Sequence, residues 1–286
     1  MKTGIEHPST TRQSLRREYV TDVVAEVEAE SAAYFAATPP GKAITRTAVI
    51  LVTSALALTV IAFLRNGSEP GWLLTTLRAG GLDGTADTIG DALAADGNAA
   101  FNRLAMWAVV SIAGYVVLPV IAVKLVLRER LRDYGLIVMG TLRSWKPYAV
   151  LFAVSVPFIV LASFRTGFQV RYPFYDLGAG EAWWPYLWAW WGLYAVQFMA
   201  LEFFFRGFMV HGLKLRLGIT AVFVMVVPYT MIHFNKPMLE AIAAIVGGTV
   251  LGLLSLKTGS VWWGAALHIA IAATMDLLAL GQAGLL

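Results

Sequence analysis

Between Trp188 and Val210 the chain runs apolar for long enough to cross a bilayer, yet Glu202 and Arg206 stand inside that run. An ionisable group in hydrocarbon is expensive, so each of these needs a partner or a task. A spacing of four residues puts both on one helix face, one turn apart, where each neutralises the other. The pair reads in two ways: an ion pair that fixes helix packing, or part of a reactive site. Everything else in the sequence bears on that choice.

The 286 residues are 58% hydrophobic and only 14% charged, more apolar than a soluble core of this length requires. The apolar residues fall in blocks, which predicts an all-α, polytopic transmembrane bundle of about seven spans. These are Thr47 to Leu64, Leu104 to Val123, Pro147 to Phe164, Tyr186 to Leu213, Ile219 to His233, Met238 to Leu256 and Val261 to Leu280. Three regions follow: a polar segment 1–46, an N-terminal membrane region 47–185 and a core 186–286. The polar segment predicts a helix over Ser14 to Phe35, lying on a membrane surface or partner, or else solvated. An acidic, glycine-rich stretch from Asn66 to Asn102 (Asp83, Asp87, Asp91, Asp96) reads as an extramembrane loop with small helices. The tyrosines and tryptophans between Arg165 and Pro185 read as an interfacial collar.

Lysine and arginine crowd the segments before the first span and after the second, with Lys214, Arg216 and Lys257 on the same side. That bias predicts a cytoplasmic N-terminus. Without cysteine there is no disulfide, thiolate ligand or thiol nucleophile. No basic patch interleaved with aromatics points to nucleic acid.

On this topology Glu202, His233 and His268 lie at depths that differ by only about 10 Å, at roughly 1.5 Å per residue. A carboxylate and two imidazoles near the bilayer middle can bind a metal such as zinc, activate water or relay protons. No hydroxyl or thiol nucleophile is expected beside a base, so the chemistry suggested is hydrolysis by activated water. The plain readings are a polar span end for His233 and an interhelical hydrogen bond for His268. His211 near a boundary and His7 in the tail fall outside the set. Asp276, two turns after His268, either orients that imidazole or sits near the outer surface.

These residues resemble the CPBP family of intramembrane proteases (CAAX proteases and bacteriocin-processing enzymes, also called Abi). Its Glu-Glu-x-x-x-Arg motif is matched by Leu201-Glu202-Phe203-Phe204-Phe205-Arg206 at the second glutamate and the arginine. An aromatic residue four before a histidine appears as Tyr229 and His233, and Thr258-Gly259-Ser260-Val261-Trp262 leads to His268. The resemblance covers about residues 186 to 280. It implies an endopeptidase in the membrane of a bacterial cell, acting on a peptide or protein substrate, with catalytic residues Glu202, Arg206, His233 and His268. The family is described both as metal-dependent, for which Glu202, His233 and His268 are the candidate ligands, and as glutamate-dependent without metal.

Two positions depart from the pattern. Leu201 replaces the glutamate that the family assigns to water activation, and Ala272 replaces an asparagine assigned to the oxyanion. The departures open a second reading, a non-catalytic scaffold or chaperone for membrane proteins or peptides. A third, a proton-coupled transporter, would also use buried Glu and His, but no pair of broken spans or inverted repeat is visible.

Overall fold

The computed structural model describes residues 17–65, 71–94, 98–139, 141–175 and 185–285. His7, Asn66, Asp96 and the first residues of the expected N-terminal helix lie outside them. Among the described residues there is no strand, only an isolated antiparallel bridge between Leu136 and Ser260.

Helix α1 (Asp22–Ala37) is followed by α2 (Pro40–Arg65), the short α3 (Gly71–Ala79) and α4 (Asp83–Ala94), and then α5 (Ala99–Ile121). After a connector come α6 (Lys146–Ser163), the single turn α7 (Thr166–Gln169) and α8 (Tyr186–Glu202). The α8 run continues through a π-helical stretch, Phe203–His211, into α9 (Gly212–Leu217). Helices α10 (Thr220–Met231), α11 (Met238–Thr258) and α12 (Trp262–Gln282) complete the bundle.

Six of these runs are long and apolar enough to cross a bilayer: Pro40–Leu64, Ala99–Leu127, Lys146–Ser163, Tyr186–Leu217, Met238–Thr258 and Trp262–Gln282. The chain is therefore a multi-pass membrane protein. The fifth expected span is shorter than predicted: α10 has 12 residues, about 18 Å of helix, against a hydrocarbon core of about 30 Å. Apolar composition continues to Ile232, but the backbone turns at His233 to Lys236 ahead of Pro237, so His233 stands in a turn and not in a helix.

Burial ranks the helices. The α8–α9 run is 72% buried over its apolar window and α6 only 11%, so the charged run is the axis and α6 is peripheral. Helix α5 packs between α2 and α8, α12 packs between α8 and α6, and α10 pairs with α11. Tyr115 of α5 meets Phe204 and Phe205, with ring centroids at 5.1 and 5.8 Å. All nine residues of the π-helical stretch are buried. One of them, Gly207, is needed for space, because a Cβ there would lie 2.6 Å from the Tyr134 carbonyl oxygen of the connector.

The expected N-terminal helix is held by the bundle itself. Helix α1 docks on α9: Ser31 donates to the Leu215 carbonyl at 3.2 Å, Glu28 accepts from the Ile219 N–H at 2.8 Å, and Glu30 pairs with Lys214 at 2.7 Å. At the same end, Arg46 of α2 reaches Glu129 at 2.8 Å and donates to the Gly212 carbonyl, while Tyr134 donates to Glu129 at 2.5 Å. Burial works against the Glu129 charge, but the hydrogen bonds from Arg46 and Tyr134 outweigh it and hold the carboxyl below its ordinary value.

Candidate active site

Glu202 closes α8 and Arg206 sits one turn on, both fully buried. Arg206 Nη1 lies 2.8 Å from Glu202 Oε1, and His268 Nδ1 of α12 lies 2.9 Å from the same oxygen. Both contacts are short but off-axis, and neither is an aligned hydrogen bond. Neither group of the Glu202–Arg206 pair would survive alone at this depth; together they are neutral. The other carboxylate oxygen of Glu202 faces Gly264, where a side chain would overlap it.

Tyr229 of α10 connects the rest. Its hydroxyl lies 2.9 Å from His268 Nε2, and its carbonyl accepts from His233 Nδ1 at 2.8 Å. Its ring lies 4.2 Å from the Arg206 guanidinium carbon. On the opposite side, Phe198 stacks parallel to the His268 ring at 5.5 Å and 4°. The His268 side chain keeps 15% of its exposure, whereas Glu202 has none, so a molecule entering the cluster meets the imidazole before the carboxylate.

Sequence depth thus brings Glu202, Arg206 and His268 into contact and leaves His233 one residue removed, joined through Tyr229. His211 stays apart, as expected, with Nε2 3.0 Å from the Ser255 hydroxyl. Asp276 does not orient His268. It is buried, and it accepts from the Phe174 N–H at 3.1 Å and the Trp191 indole at 3.2 Å, which pins the collar to α8 and α12. Tyr229 stands in the sequence only as the aromatic residue before His233, but its hydroxyl lies beside His268. Its place four residues before His233 is legible, but no sequence signal aims the hydroxyl at α12.

The residues do not suit a metal. Arg206 already occupies the side of Glu202 that faces His268, the Tyr229 carbonyl holds His233 Nδ1, and both His268 nitrogens have partners. Among the described residues no three His, Asp or Glu side chains converge as ligands. A cation placed at Glu202 would also meet the guanidinium charge.

Residues 182–274 match the model of a family described as type II CAAX prenyl endopeptidase Rce1-like. No curated protein and no solved structure matches the chain. The matched stretch contains Glu202, Arg206, Tyr229, His233, Gly264 and His268, the residues that meet in the cluster, as well as Leu201 and Ala272. Over that third of its length the chain is similar to the type II CAAX prenyl endopeptidase family, consistent with the resemblance to CPBP intramembrane proteases.

Proposed function

We propose that this chain is an intramembrane endopeptidase in which His233 activates water and His268 faces the developing oxyanion. The contact that carries the reading is His268 Nδ1 to Glu202, 2.9 Å, within the matched domain. Donation from His233 Nδ1 to the Tyr229 carbonyl leaves its Nε2 lone pair free, the form a general base needs. Water then attacks the peptide carbonyl carbon as His233 Nε2 takes its proton. The same proton passes to the departing amine nitrogen as the C–N bond breaks. Glu202 acts at one remove, since it is sealed from solvent and paired with Arg206: its charge fixes the His268 ring.

The test is turnover of a quenched fluorescent peptide library by purified protein in detergent. His233→Ala and His268→Ala should each lose about 10²- to 10⁴-fold in rate, Glu202→Gln should lose activity with them, and a chelator should change nothing. Wild-type rates in His233→Ala would sink the assignment.

A second reading, a non-catalytic binder of membrane peptides, is favoured by two positions. Leu201 is apolar and buried where the family places a carboxylate, and Ala272 packs in one cluster with Trp190 and Tyr194 where it places an amide. On this reading a folded wild type turns over nothing, and peptide capture survives Glu202→Ala with His268→Ala.

A further inference from the structure

Tyr229 touches Arg206, His233 and His268 together. Its ring fits because Gly248 on α11 leaves room; a Cβ there would come 2.9 Å from the ring. Phenylalanine would fill the same space, keep the backbone bond to His233 and keep the face under Arg206. Only the hydroxyl is surplus to packing, and a buried hydroxyl without a partner is costly. Here it has one, at 2.9 Å, the nitrogen of His268 that Glu202 does not hold.

We propose that His268 acts on the oxyanion through the Tyr229 hydroxyl, within a Glu202–His268–Tyr229 relay. The proposal rests on the endopeptidase reading. His268 Nδ1 lies against Glu202, so Nε2 is the ring's other polar atom, and Tyr229 lies beside it. In the doubly protonated ring Nε2–H points at the phenolic oxygen, which turns the phenolic hydrogen outward. The effect of Glu202 and His268 is thereby delivered through a neutral donor, and no bond to a heavy atom is made or broken in the relay. Ala272 brings no donor to that turn of α12, so the chain has another residue for the task.

The experiment has two arms on wild type and Tyr229→Phe, with thermal melting to confirm that both are folded. In the first, diethyl pyrocarbonate modifies the protein in detergent and mass spectrometry follows His268; no turnover is needed. Losing the hydroxyl should uncover Nε2 and raise the rate several-fold, and an unchanged rate overturns the relay. In the second, kinetics on a library peptide cleaved by wild type should show kcat down about 10²- to 10³-fold with KM nearly constant. A retained kcat, or a loss confined to KM, overturns the donor role. If folded wild type cleaves no library peptide, the donor role falls with the endopeptidase reading, while the modification rates still decide whether the relay exists.

Discussion

Gly264 of α12 lies so close to Glu202 of α8 that a methyl group there would overlap the carboxylate. The two helices that carry the ionic cluster therefore meet at a position without a side chain, and the charge sits in the seam between them. This contact, more than helix propensity, brings His268 within reach of Glu202, because His268 follows Gly264 by one turn.

Gly264→Ala should accordingly destabilise the protein by about 1–3 kcal/mol, as overpacking does in a tight core. Gly247→Ala is the control: nothing lies within 4 Å of a Cβ there, and glycine is the weaker helix former. Unfolding of both variants in detergent checks the pair. Equal stability of the two would mean that the seam is looser than described.

Arg206 should matter more to folding than its partner does. Arg206→Met leaves Glu202 charged and fully buried without its guanidinium, at a cost of about 3–5 kcal/mol. Adding Glu202→Gln should recover much of that loss, since both charges are then gone. A double variant as unstable as Arg206→Met alone would show that the arginine acts through packing on Tyr229 instead.

Asp276 should control the collar and not the chemistry. Asp276→Ala strands the Phe174 N–H and the Trp191 indole, each a loss of about 1–3 kcal/mol when buried. Limited proteolysis within residues 165–175 and Trp191 emission should both change, while modification of His268 by diethyl pyrocarbonate should not. Unchanged cleavage in that loop would show that other contacts hold it.

Glu129 predicts a pH dependence at the opposite end. Its carboxyl is held below the ordinary value when folded, so the stability it adds is present above the unfolded value, about 4.3. It is lost as pH falls through the lower folded value. The difference in melting temperature between wild type and Glu129→Gln should therefore shrink on acidification below about pH 4. A difference that stays constant through the acid range would count against the Arg46–Glu129–Tyr134 network as its source.

The sequence determined the membrane bundle, because hydrocarbon admits few ways to satisfy a backbone and long apolar blocks declare themselves. It also singled out Glu202, Arg206, His233 and His268, since polar groups in such blocks are too costly to be incidental. Helical periodicity even fixed the Glu202–Arg206 pair, which is a contact within one helix. It overran at α10, where composition stays apolar past the point at which the backbone turns. Contacts between helices were decided only by the tertiary structure: Tyr229 on His268, Asp276 on the collar, α1 on α9. Each depends on how two helices are rotated against one another, and that rotation is set by packing at places such as Gly207 and Gly264, which hydropathy and motif spacing do not encode.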